Sequence, residues 1–187
     1  MRQAAVVLDT CVLLPPRLRD TLLDAAHSEL FEPYWSAASL VELRRNVVRK
    51  TILDAAGAER LIAALAGAFP AATVSRTRYR RLVPRLAKHP KDRHVLATAI
   101  VTHAQTIVTF NLRDFPETAL VPHGVTAVSP DEFLLDLLQR DQTRVIGSVR
   151  EQAGRYRSPA MTPIELLDRL GKLVPRFVDR IRGQIQQ

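Results

Sequence analysis

The sequence predicts an α/β protein built on a parallel sheet and continued by a helical tail. Three observations carry this. Ala4-Ala5-Val6-Val7-Leu8 is a short unbroken apolar run, as expected of a strand buried on both faces. Later strand-like runs alternate with segments of helical period, the signature of parallel strands linked by helical crossovers. Two strong helix-start signals then stand late in the chain. The 187 residues, 47% hydrophobic and 25% charged, suffice for a sizeable core and exclude disorder, collagen repeats and disulfide scaffolds.

Taken in order, the first strand ends at Asp9. After Pro15-Pro16, Leu18, Leu22 and Ala25, with Leu23 and Ala26 beside them, fall at helical spacing. A short strand is expected around Pro33 to Trp35. Ser36 reads as the cap of a helix over Ala37 to Lys50, whose apolar positions are Leu40, Val41, Leu43, Val47 and Val48. Another helix covers Ala58 to Phe69, and Ala72-Thr73-Val74 reads as a strand ahead of a basic stretch from Arg76 to Lys88. Pro90 opens a helix containing Val95, Leu96, Ala99, Ile100 and His103. Thr106 to Phe110, β-branched and apolar, is the clearest later strand; a loop with Asn111, Asp114 and Pro116 follows, and Val125 to Val128 is the last strand.

Ser129-Pro130-Asp131-Glu132 combines a cap, a first-turn proline and a glutamate three residues on, and Thr162-Pro163-Ile164-Glu165 repeats the arrangement. Gly154 to Pro159 reads as a break between helices. The expected organisation is therefore an α/β domain over 1–129 and a helical extension over 130–187.

Lys and Arg outnumber Asp and Glu by 27 to 19, giving +8. The excess is uneven: Arg76 to Arg93 holds eight basic residues and one acid, Asp92. Such a cluster favours a polyanion through counterion release; the alternative is a solvated basic face. Cys11 is the sole cysteine and has no intramolecular partner, which suits a reducing cytoplasm. With no spanning run and no signal-peptide pattern, neither secretion nor a membrane partner is expected.

Four acidic positions stand at ends of elements that an α/β fold brings together: Asp9, Glu42, Asp92 and Asp114. Carboxylates sharing a pocket repel, and a divalent cation resolves the conflict. Hard oxygen donors without a His–Cys cluster suit Mg²⁺ or Mn²⁺ rather than Zn²⁺, and such ions keep water and bridge to phosphate. Each acid also has a purely structural alternative. Asp9 satisfies turn amides, Glu42 closes a capping box with Ser39, Asp92 faces a helix dipole, and Asp114 serves a turn.

Val7-Leu8-Asp9-Thr10 with Val12-Leu13-Leu14, then Ser39-Leu40-Val41-Glu42-Leu43, Lys91-Asp92-Arg93-His94-Val95-Leu96-Ala97, and Val108-Thr109-Phe110-Asn111-Leu112-Arg113-Asp114-Phe115 resemble, in order, the motifs of the PIN nucleases. The resemblance runs from about Val6 to Ser129. It implies a PIN-like three-layer α/β/α fold around a central parallel sheet. It also implies an Mg²⁺- or Mn²⁺-dependent endoribonuclease, as in VapC-type toxins, with a cognate antitoxin as partner and a homodimer as a family-level expectation. Asp9, Glu42 and Asp92 map onto the core acidic ligands; the fourth position is carried by both Asn111 and Asp114. Direct attack of water on the RNA phosphodiester would leave a 5′-phosphate and a 3′-hydroxyl. Thr10 or Thr109 would orient a ligand or water, and Lys91 and Arg93 would contact RNA phosphate. Cys11 departs from the usual Asn or Ser and, as a thiol, is a poorer hydrogen-bond partner. Residues 131–187 lie beyond the pattern.

Other chemistries fit worse. Cys11 and Arg17 satisfy C-x₅-R, but Pro15 and Pro16 lack the amide donors that a phosphate cradle needs. In a haloacid dehalogenase-like phosphotransferase the second Asp would fall at Cys11. The five histidines show no zinc spacing, and His94 receives no catalytic role. The stronger competitor is a non-catalytic α/β module that binds nucleic acid through its basic face, without metal dependence. A third is an interaction protein whose helical tail is a docking surface, although stripes such as Phe133, Leu134, Leu137 and Leu138 more often self-pack.

Overall fold

A computed structural model describes residues 3–86 and 92–185. The strands are β1 (Ala5–Leu8), β2 (Glu32–Ser36), β3 (Thr73–Val74), β4 (Thr106–Val108) and β5 (Thr126–Val128). Among the described residues the α-helices are α1 (Thr10–Leu13), α2 (Pro16–His27), α3 (Ala37–Arg49), α4 (Ala55–Ala68), α5 (Arg76–Tyr79) and α6 (Arg93–Thr102). They continue as α7 (Glu117–Leu120), α8 (Pro130–Arg140), α9 (Gln142–Arg155), α10 (Pro163–Leu170) and α11 (Pro175–Ile185). The expected helix start at Pro90 lies outside the described residues, as do Lys88 and Lys91. Two compact units form: one of Ala4–Leu14 and Glu32–Val128, the other chiefly of Pro15–Phe31 and Ser129–Gln187.

The first unit holds a five-stranded, all-parallel sheet in the order β3-β2-β1-β4-β5. Its central strand β1 pairs Ala5 with Glu32 on one side and Leu8 with Val108 on the other. Val6, Val7 and Leu8 are buried, as an apolar run covered on both faces must be. The chain steps outward from β1 through β2 to β3, then returns across the sheet to β4 and β5. Right-handed crossovers therefore put α3 and α4 on one face and α6 on the other. The direction reverses between β1 and β4, and a crevice opens beyond the carboxyl ends of those two strands. Asp9 and Thr109 are the first residues past them.

Local chemistry sets the element ends. Ser36 caps α3 by accepting the Ser39 amide at 2.8 Å. Leu40, Leu43 and Val47 of α3 are buried, whereas Val41 and Val48 lie outward. Asp54 caps α4 through the Gly57 amide at 2.6 Å, so that helix starts before the expected Ala58. α6 buries Val95, Leu96, Ala97, Thr98 and Ala99 in succession, the pattern of a helix enclosed on several sides. β4 stops at Val108 instead of running to Phe110. The Thr109 amide still donates to Val128 at 3.0 Å, but the Thr109 hydroxyl then accepts the Asn111 amide at 3.0 Å and turns the chain outward.

In the second unit α2 packs against α9, with the Thr21 hydroxyl donating to Gln152 at 2.8 Å and the Gln152 amide donating to the Arg17 carbonyl at 3.0 Å. Both predicted capping boxes form, at Ser129–Glu132 and Thr162–Glu165. Two helix breaks appear that the sequence pattern did not mark: Asp141 ends α8 and caps α9 by accepting the Arg144 amide at 3.0 Å, and residues 171–174 separate α10 from α11. Asp131, buried at the start of α8, accepts the Phe177 amide at 2.9 Å and so caps α11 from a neighbouring helix. The tail stripes Phe133, Leu134, Leu137 and Leu138, and Leu166, Leu167, Leu170 and Phe177, are buried within this helical unit.

Candidate active site

Asp9 leaves β1 in extended conformation and caps α1, its Oδ1 accepting the Thr10 amide at 2.7 Å. It is only 5% exposed. Its Oδ2 accepts the Thr109 hydroxyl at 2.7 Å and the Cys11 thiol at 3.1 Å. The carboxylate is thus oriented by the Thr10 amide and Cys11 thiol from β1's exit and by the Thr109 hydroxyl from β4's exit. The Cys11 sulfur also accepts the Phe110 amide at 3.2 Å and lies 3.3 Å from the Thr109 hydroxyl. The residue expected to be the weak hydrogen-bonding partner here joins both strand exits. Burial, then the charge of Asp9, pushes its thiol up to about 12. A cysteine-phosphatase mechanism needs the reverse shift.

Glu42 is half-buried on α3. The Thr10 hydroxyl donates to its Oε2 at 3.1 Å. The alternative capping box does not form, because Ser36 is the cap and Glu42 lies one turn further in. Asn46, four residues on and so on the same helix face, donates to Glu42 Oε1 at a long 3.5 Å. Asp92 stands at the N-terminal edge of α6 with φ −105° and ψ 1°, and its side chain makes no capping hydrogen bond to that helix.

Asp9, Glu42, Asp92, Asn46 and Asn111 line one cavity of about 270 Å³, with Arg49 and Lys50 at its exposed edge. Asp114 does not line it; it closes a 3-10 turn over Leu112–Asp114, its amide bonded to the Asn111 carbonyl at 2.9 Å. Of the two fourth-position candidates, Asn111 is the one at the cavity. Thr10 and Thr109 each hold one of the carboxylates. Arg93 opens α6 without lining the cavity, and Lys91 lies outside the described residues. Asn46, Arg49 and Lys50 join the cavity without having been expected there; the i, i+4 spacing from Glu42 to Asn46 was the available signal.

The donor chemistry suits a hydrated hard cation. Asn46 Oδ1 is buried and has no hydrogen-bond partner among the described residues, although the residue lines the cavity. A cation's water shell supplies the donor that such an acceptor lacks. Among the described residues no group of three or more His, Cys, Asp or Glu side chains is placed to hold a metal ion. Water would complete the shell, as it commonly does around Mg²⁺. His94, two residues past Asp92, bonds through Nδ1 to the Ser36 hydroxyl at 2.8 Å. Burial holds it below the ordinary histidine range despite the opposing fields of Asp9 and Glu42.

The sequence profile described as PIN domain matches residues 5–113, and that described as VapC50 C-terminal domain matches residues 130–183. A protein of Mycobacterium tuberculosis named "Putative ribonuclease VapC50" is 41% identical over 104 residues, 56% of this chain and 62% of that protein. The match thus spans less than two thirds of that relative's length. No solved structure matches the chain.

Proposed function

The chain belongs to the PIN domain family, and from that premise we propose that it is a metal-dependent endoribonuclease, the toxin of a toxin–antitoxin pair. The observation that carries this proposal is the meeting of Asp9, Glu42 and Asp92 on one cavity at the reversal point of the sheet, beside a buried amide oxygen that has no partner among the described residues. Asp9, Glu42 and Asp92, with Asn111, would hold a divalent ion, Mg²⁺ or Mn²⁺; Asp114 is the less favoured fourth group. Such an ion, when bound, supplies Lewis-acid charge at the phosphodiester and a more acidic water.

The protein's own groups do the positioning. Thr109, Cys11 and the Thr10 amide fix the Asp9 carboxylate, and the Thr10 hydroxyl fixes Glu42. Arg49 and Lys50 draw the phosphate backbone to the cavity. RNA is the substrate in this proposal because the relative is named a ribonuclease and because the basic excess suits a polyanion. A cognate antitoxin and a homodimer belong to the same proposal. So does the division of labour in which the 1–129 part carries catalysis and 130–187 is an extension. Among the described residues no helix is long and apolar enough to cross a membrane.

The test is cleavage of single-stranded RNA in Mg²⁺, Mn²⁺ and EDTA by the wild type, Asp9→Asn and Asp92→Asn, with folding matched by circular dichroism. Cleavage should vanish on chelation and fall at least about 100-fold in both variants, as expected when transition-state charge stabilisation is lost. Persistence in EDTA and in folded Asp9→Asn would refute the site. RNA binding without cleavage by any of the three would favour the non-catalytic binding module.

A further inference from the structure

A second cavity, of about 570 Å³, shares both helices with the first. α3 gives Val41 to this cavity and the adjacent Glu42 to the carboxylate cavity; the start of α6 gives His94 to this one and Asp92 to the other. The two therefore lie side by side. Ala38 and Val41 form an apolar wall, with Val41 61% exposed, and Arg76 and Arg80 bring two guanidinium groups. The remaining feature is Tyr79, which ends α5 between Arg76 and Arg80 and also lines the cavity. It is 3% exposed, and its hydroxyl is buried with no hydrogen-bond partner among the described residues. A buried orphan hydroxyl at a cavity calls for a polar group from outside the chain. A volume in the range of roughly 300–1,000 Å³ fits a small-molecule-sized occupant with an apolar face, a few polar edges and an anionic group. A ribonucleotide has all three, and arginine suits its phosphate.

We propose that this cavity is a nucleotide subsite: it takes one ribonucleotide of the RNA strand next to the scissile phosphate. The base lies against Ala38 and Val41, its polar edge meets the Tyr79 hydroxyl, and Arg76 and Arg80 hold a phosphate. Base preference beside the cut follows from the Tyr79 contact. The assignment rests on the nuclease function proposed for the carboxylate cavity.

Calorimetric titration of the full chain with each of the four nucleoside 5′-monophosphates, and with inorganic phosphate, tests it independently of cleavage. One nucleotide should bind better than the others and better than phosphate. Tyr79→Phe should weaken it about 5-fold, as loss of one neutral hydrogen bond does, with no fall in melting temperature. Arg76→Ala/Arg80→Ala should weaken it about tenfold or more. In RNA digests mapped by sequencing, Tyr79→Phe should change the base preference at one position beside the cut. Nucleotides binding no better than phosphate, an acidic peptide binding in their place, or an affinity indifferent to Tyr79→Phe would overturn the subsite. So would a drop in the melting temperature of Tyr79→Phe, which would mean that the hydroxyl serves the fold. RNA cleavage with unchanged base preference in Tyr79→Phe would remove the subsite and leave the nuclease. Nucleotide binding with the expected variant dependence, but no cleavage of RNA, would support the cavity's ligand and remove the nuclease.

Discussion

Thr109 shows how much one hydroxyl carries in this site. It is fully buried, donates to Asp9 and accepts the Asn111 amide, so it ties the residue at the end of β1 to the loop after β4. Thr109→Val keeps the shape and removes both bonds. Leaving a buried acceptor and an amide without their partner should cost about 1–3 kcal/mol in a urea melt, and cleavage should fall about tenfold or more because Asp9 loses its orientation. Unchanged activity in a folded Thr109→Val would show that Asp9 needs no such support. At this scale Asp9 was legible because it closes an apolar run, and Asp92 because it stands at a helix start, where element boundaries are visible in sequence; Glu42, inside α3, was carried by the order of the motifs. Asn46 was not, since an asparagine four residues after a glutamate is commonplace and only the cavity gives it a meaning. The place of Cys11 was not legible for a related reason. A thiol is a weak donor in general, but here the sulfur stands where two strand exits meet and gathers three contacts.

Among the elements, the two helix starts with a full capping signal are those the sequence marked most plainly. Both capping boxes are written within four residues, and both glutamates are held below the ordinary carboxylate range by the hydrogen bonds they accept at their caps, from backbone and side chain of Ser129 for Glu132 and of Thr162 for Glu165. A depressed folded-state value means stability that is present above the ordinary range near 4.5 and lost as pH falls through the folded-state value. Thermal melts from pH 6 down to about pH 3 should therefore decline less steeply in Glu132→Gln/Glu165→Gln than in the wild type. Parallel declines would mean that the boxes do not couple to the unfolding transition. The break at Asp141 was not marked because no proline or glycine stands at it, and the polar run over 139–144 also fits the outer face of a continuous helix. Likewise the outward Val41 and Val48 share the helical period of the inward stripe, and period alone does not say which stripe meets the sheet.

For the whole chain, sequence separation decides what can be read. A boundary near residue 129 is visible as a capping box, yet the partners of α2 are Gln152, Arg155 and Tyr156, far beyond any local window. A chain ending at Val128 would leave Leu18, Leu22 and Ala25, all buried in the full chain, without α9 and α10. It should therefore aggregate in size-exclusion chromatography at concentrations where the full chain runs as a defined species. A well-behaved truncated chain would show that α2 stands without them. The interleaving of the two units has a further consequence during synthesis. α2 leaves the ribosome early, while the helices that cover it are translated more than a hundred residues later; at roughly 5–20 residues per second its apolar stripe waits for several seconds or longer. The nascent chain thus carries a built-in interval of stickiness, and slow translation through the sheet-forming region should tax its yield more than slow translation through the final helix.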